Sequence, residues 1–325
     1  MDVSEFTPYV FQVLAQLLEY RPRDSGLGDA YKSLFPPLLT PMLWERKGNI
    51  PALTRLLQAY LLKGASEIVA MGQLMGLLGV FQKLVSSKAN EASAFDLLSS
   101  VVIHVPLDAY RANLKDMFQI LLVRLQSGKT PRFVRLATNF FALFIGKFGY
   151  QSYSDYLNSI QPGLGLMLVT QVWIPRLQTD TPVKMEAKIE VVGLTKILCE
   201  TPTLLADTNT EQIWAQILAG TMKIITNPQA RMGLSAGAGA EDADYEETEI
   251  GYDAAFSRLH FAARAVLDPF PEAKDPAVDF AKGLYGLCSR NPGKFPPLIQ
   301  HALQADPKLA AGLESLVQKA GVSLV

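Results

Sequence analysis

Residues 131–149 read PRFVRLATNFFALFIGKFG. Here Phe133, Leu136, Ala137, Phe140, Phe141 and Phe144 recur three or four positions apart. That spacing lines one face of an α-helix with apolar side chains. Thr130 precedes Pro131. A threonine oxygen accepts a free N–H at a helix start, and proline at the first helical position loses no hydrogen bond. The same pattern extends outward in both directions. Leu114, Met117, Phe118, Leu121, Leu122 and Leu125 form a second stripe, and Ile50, Leu53, Leu57, Tyr60 and Leu61 a third. Trp214, Ile217, Leu218, Thr221 and Ile225 form a looser fourth. Thr181-Pro182, Asp275-Pro276 and Asp306-Pro307 mark further helix starts. No segment alternates with period two for long enough to make a sheet, so the fold class is all-α.

The helices recur with a period. First helices are expected near Ser4, Asn49, Asn90, Pro131 and Pro182, at intervals of about 41 to 51 residues. Each interval holds two helices: 4–20 with 28–44, 49–63 with 67–86, 90–104 with 107–126, 131–149 with 152–178, and 182–200 with 208–226. Two helices in about 40–47 residues is the HEAT-repeat signature. The expected organisation is about five HEAT pairs over 1–228, an acidic Gly/Ala-rich loop over 229–251, and C-terminal repeats with a cap over 252–325. In the first helix, Phe6, Val10, Val13, Leu14 and Leu17 fill one face while Tyr9, Phe11 and Leu18 point elsewhere. A terminal cap should be polar outside. This pattern predicts the C-terminal piece of a longer solenoid, cut at a repeat boundary. Lys308, Glu314, Gln318 and Lys319 give the last helix the polarity of a true cap.

Composition fits this reading. Apolar residues make up 49% of 325, enough for a large core, and charged residues 19%, below the ~25% of an average soluble protein. No apolar run reaches the ~18 residues of a membrane-spanning helix. The net charge of −1 argues against a nucleic-acid binder. Acids concentrate at Glu241, Asp242, Asp244, Glu246, Glu247 and Glu249, leaving a mildly basic remainder. This acidic segment reads as a solvated, mobile insert or as a docking element for a basic partner.

Chemistry-bearing motifs are weak. Gly233-Leu234-Ser235-Ala236-Gly237 matches G-x-S-x-G, but a nucleophile elbow needs a strand before it and a helix after it. Ser235 is therefore expected to be inert, and a serine hydrolase is a remote alternative. His104, His260, His301, Cys199 and Cys288 stand singly, without metal-ligand spacing. No glycine loop for nucleotide phosphates exists, so no catalytic, cofactor or metal site is expected. The turn Trp44-Glu45-Arg46-Lys47-Gly48 is a candidate contact, because Trp and Arg are enriched at interface hot spots. Lys83, Lys88, Arg111, Lys115 and Arg124 are candidates for a basic inner surface.

Longer runs carry a resemblance. They are FTPYVFQVLAQLLEYR (6–21), LWERKGNIPALTRLLQAYL (43–61), GVFQKLVSSKAN (79–90), EVVGLTKILCETP (190–202) and GYDAAFSRLHFA (251–262). In the same order, they resemble the C-terminal region of the CAS-type exportins of the karyopherin-β superfamily. The stretch RMGLSAGAGAEDADYEE (231–247) departs from that family, whose members are acidic but not Gly/Ala-rich there. The resemblance implies a HEAT superhelix that wraps importin-α together with Ran-GTP and shuttles between nucleus and cytoplasm. GTP would be bound by Ran, and the principal Ran-binding repeats would lie upstream of this chain. Neither nucleic acid nor membrane insertion is implied. The expected partner-binding residues are Trp44, Arg46, Lys47, Glu241, Asp242, Asp244, Glu246, Glu247 and Glu249. A HEAT scaffold of another complex is the alternative.

Overall fold

The computed structural model describes residues 6–22, 25–201, 204, 208–235 and 267–324. Among them there are helices and no strand. The chain divides after Lys129 into two compact units.

In the first unit, α1 (Thr7–Glu19) is followed by α2 (Asp29–Leu38), and α3 (Ile50–Ala70) by α4 (Leu74–Val85). Next come α5 (Glu91–His104), the single turn α6 (Leu107–Tyr110) and α7 (Leu114–Gly128). The first helices form one row, α1 on α3 and α3 on α5, and α4 packs against α5 and α7. Ala52 through Leu61 are all buried, because α3 has neighbours on every side. Polar clasps set the register of the row. Arg55 of α3 grips Glu19 of α1 at 2.7 and 3.0 Å, and Gln58 of α3 donates to Ser100 of α5 at 3.0 Å. Tyr60 donates to the Tyr31 carbonyl of α2 at 2.9 Å and packs edge-on against Phe35.

The second helix of the second pair starts later than its apolar pattern suggests, at Leu74 and not near residue 67. Gly64 breaks the helix at φ −150°, and a side chain there would strike Leu27. The helix then resumes and runs to Ala70, just before Gly72, whose φ of +68° a side chain would oppose.

The second unit opens with α8 (Pro131–Asn158), interrupted at Gly149 with φ +85°. The bent segment α9 (Leu164–Leu168), a π-turn (Val169–Trp173) and α10 (Ile174–Thr179) follow. Then come α11 (Lys184–Glu200), α12 (Thr208–Thr226) and α13 (Pro228–Ser235). The unit closes with α14 (Pro276–Arg290), α15 (Phe295–Leu303) and α16 (Pro307–Ala320). Again there are two rows: α11 lies between α8 and α14, and α12 between α10 and α15. Gly193 lets α11 approach α8 closely, since a Cβ there would lie 2.7 Å from the Ala142 carbonyl oxygen.

Three of the four expected Pro-marked starts are capped as read: Thr130, Asp275 and Asp306 accept N–H bonds at 3.0–3.1 Å. Thr181 does not cap, because the chain stays extended through Val183 and α11 begins at Lys184. Residues 229–235, expected as the start of the loop, are helical instead. Ala230 and Leu234 are buried, which ties α13 down against α11. The helix expected near 252–267 lies almost wholly outside the described residues.

Candidate partner-binding surface

The Trp44 turn lies in the first unit. It consists of two 3₁₀ turns, Pro41–Trp44 and Lys47–Asn49. The Trp44 indole points inward, 2% exposed, and its Nε1–H donates to the Leu38 carbonyl at 2.9 Å. Asn49 donates to the Leu43 carbonyl at 3.3 Å. Lys83 reaches across from α4 to the Pro41 carbonyl at 2.9 Å and lies 3.8 Å from Glu45. The turn is therefore fixed from beneath. Arg46 and Lys47 project into solvent, without an ion pair among the described residues.

This corrects the expectation of an exposed Trp44 anchor. A large indole gains most by burial, and here a nearby carbonyl satisfies its N–H. Trp44 thus fixes the turn that carries Arg46 and Lys47. Trp44→Phe is expected to lower stability by about 1–2 kcal/mol, from the lost hydrogen bond and the lost volume. Chemical denaturation would measure it, and an unchanged midpoint would contradict the buried position.

The other basic candidates separate by burial. Lys88 and Lys115 are exposed. Arg111 is exposed and paired with Asp108 at 2.6 Å. Arg124 is instead a structural tie. It donates to the Val85 and Gly128 carbonyls at 3.0 and 2.9 Å and pairs with buried Glu91 at 3.3 Å. Its guanidinium fork joins the ends of α4 and α7 to the start of α5.

The six acids from Glu241 to Glu249 lie outside the described residues, but both roots of their segment are placed on the second unit. One root is α13, packed against α11. The other is Asp268–Phe270. Asp268 pairs with Lys188 of α11 at 2.6 Å and accepts the Phe270 N–H at 2.9 Å. Phe270 is 1% exposed and fills a notch at Gly146 of α8, where a Cβ would lie 2.4 Å from the ring. Lys147 donates to the Pro269 carbonyl and stands over the Phe270 ring at 4.9 Å. The sequence reading missed this anchor. Its signals were a glycine inside an aromatic-rich helix and an Asp-Pro-Phe run after a loop.

A buried charged cluster also escaped the sequence reading. Glu190 of α11 is fully buried, accepts from Trp173 Nε1 at 3.1 Å and pairs with Arg176 at 2.5 Å. Burial pushes its carboxyl up to about 7, against the opposing pull of Arg176 and the Trp173 hydrogen bond. Trp173 closes the π-turn, so the cluster ties that distortion to α11. It is sealed from solvent, as a structural clasp is.

The isolated motifs fall on separate elements where they are described. Gly233 to Ser235 form the last turn of α13, preceded by helix and not by a strand. His104 ends α5 and His301 lies in α15, while His260 falls outside the described residues. Cys199 and Cys288 are buried free thiols, and burial pushes Cys199 up to about 12, where it is a poor nucleophile. Among the described residues no group of three potential metal ligands exists, and no helix is long and apolar enough to cross a membrane.

Comparison with known proteins agrees with this architecture. Exportin-2 of Xenopus laevis is 40% identical over 327 residues, covering all of this chain and 33% of the relative. Exportin-2 of Homo sapiens is 37% identical with the same coverage. The chain thus spans about a third of the length of these relatives. The solved structure described as the exportin Cse1 in its cargo-free, cytoplasmic state superposes with a TM-score of 0.75 at 27% identity. That match covers 97% of this chain and 31% of the other, and it identifies the fold as the helical solenoid of the exportins. The family model for the CAS/CSE protein C-terminus matches residues 1–312, and the chain belongs to that family.

Proposed function

We propose that this chain is the C-terminal scaffold of a nuclear export receptor that carries importin-α out of the nucleus together with Ran in its GTP form. The match to exportin-2 over the whole chain carries the reading. The chain acts by presenting surface and not by catalysis. Nucleotide belongs to Ran, and the receptor shuttles between nucleus and cytoplasm. Arg46 and Lys47, held out by the buried Trp44 turn, serve as a basic contact. Glu241, Asp242, Asp244, Glu246, Glu247 and Glu249 form an acidic one, complementary to the basic segments of importin-α.

The test is recovery of importin-α by the full-length parent protein, with and without GTP-loaded Ran. Retention only with GTP-loaded Ran is expected, and equal retention without it overturns the reading. Arg46→Glu with Lys47→Glu should weaken the ternary complex about tenfold, or ~1.4 kcal/mol. Unchanged affinity by calorimetry would remove that turn from the interface.

A further inference from the structure

Five threonines in the chain precede a proline: Thr7, Thr40, Thr130, Thr181 and Thr201. Four of them are engaged or covered by the fold. Thr7 lies in the first turn of α1, and Thr130 accepts the Phe133 N–H at the start of α8. Thr201 is buried, and Thr181 is half-buried beside buried Pro182. Thr40 differs on each count. It is exposed, its backbone is extended at φ −65° and ψ 125°, and its hydroxyl has no hydrogen-bond partner among the described residues. Pro36, Pro37, Pro41 and Met42 around it are exposed as well.

Such a residue suits phosphoryl transfer. Proline pushes the residue before it toward extended backbone and has no N–H of its own, which a kinase cleft can select. The acceptor hydroxyl must also be free to meet the donor phosphate in line, while a carboxylate of the kinase takes its proton. The surroundings give a phosphate here a consequence. The Lys83 ammonium lies against the Pro41 carbonyl at 2.9 Å, one residue on from Thr40, and 3.8 Å from Glu45. Arg46 and Lys47 project from the same turn. Arg46, Lys47 and Lys83 outnumber the single acid, Glu45. A phosphothreonine carries about −1.5 to −2 at neutral pH and nearly cancels that excess.

We propose that Thr40 is a phosphorylation site for a proline-directed protein kinase. The γ-phosphoryl of ATP passes to Thr40 Oγ1. Its bond to the bridging oxygen breaks, the new P–O bond forms, ADP leaves, and the hydroxyl proton goes to the kinase. The phosphate then draws Lys83 from Glu45 and removes the positive character of the turn that carries Arg46 and Lys47. This effect on binding rests on the function proposed above, whereas the site itself does not.

The experiment treats the folded full-length parent protein with ATP and a proline-directed kinase, and maps phosphate by mass spectrometry. Thr40 should be modified at least tenfold faster than Thr130, Thr181 or Thr201. No phosphate on Thr40, or equal rates at all four, overturns the site. Calorimetry then compares the treated and untreated protein as ligands of importin-α with GTP-loaded Ran. Treatment should weaken the complex about tenfold, and the same treatment of Thr40→Val should not. Unchanged affinity with Thr40 fully modified overturns the charge-cancelling role, as does an equal loss in treated Thr40→Val. Should the untreated protein bind no importin-α, the proposed function fails while the mapping still decides the site.

Discussion

Replacing Glu190 by alanine is expected to destabilise the second unit by about 3 kcal/mol, because it removes the buried partner of Arg176 and leaves only half-exposed Asp180, 3.6 Å away, as counter-charge. That is a large share of the ~5–15 kcal/mol that holds a typical domain. The double substitution Glu190→Leu with Arg176→Leu should be far milder than either single change. Both desolvation penalties then vanish together, and leucine fills much of the volume. Additive losses in the double variant would show that the pair is not coupled. The carboxyl adds a pH signature. Its folded value is raised from 4.5 to about 7, so the native state binds more protons than the unfolded chain across that window. Stability from this group is therefore complete below about 4.5, falls as pH rises, and levels off above about 7. The total change is about 3 kcal/mol. Glu190→Gln should flatten that slope, as read from urea midpoints at pH 5 and 7.5.

Phe270→Ala should have an effect of similar size, about 3–5 kcal/mol, since the ring is buried and its removal leaves a cavity on α8. The loss should be local. Amides of α8 near Lys147 and of residues 268–275 should exchange faster, while those of α3 and α5 stay protected. Gly146→Val should reproduce the effect from the other side, because its side chain would occupy the space of the Phe270 ring. A loss below 1 kcal/mol for Phe270→Ala would mean that the anchor contributes little to holding the C-terminal root of the acidic segment.

Much of the architecture was legible before any coordinates. The stripe from Phe133 to Phe144 set a helix, and the recurrence of such stripes set helix pairs of HEAT length. The first helices begin at Thr7, Ile50, Glu91, Pro131 and Lys184, within three residues of where the pattern placed them. Periodicity is a local property, repeated within each turn, so it survives in one dimension. Helix ends were less legible. Gly64 looked like a terminus, yet the helix resumed beyond it, and Thr181 looked like a cap but is not one. A break or a cap depends on what packs beside it, as Leu27 does at Gly64.

By itself the sequence determined that the chain is all-α and that its helices pair and stack. The tertiary structure decided which polar residues face inward. Trp44 and Arg124 read as surface anchors, but a turn and a helix junction supply their hydrogen-bond partners, and both are held within the chain. Glu190 carries no signal in the local spacing, and its role comes from Trp173 and Arg176, 17 and 14 residues earlier, which close over it. Lys147 and Lys188 found their partners 122 and 80 residues away, at Pro269 and Asp268. An apolar stripe announces its own face through local spacing. A polar side chain takes its role from a partner, here as far as 122 residues along the chain, and only packing brings the two together.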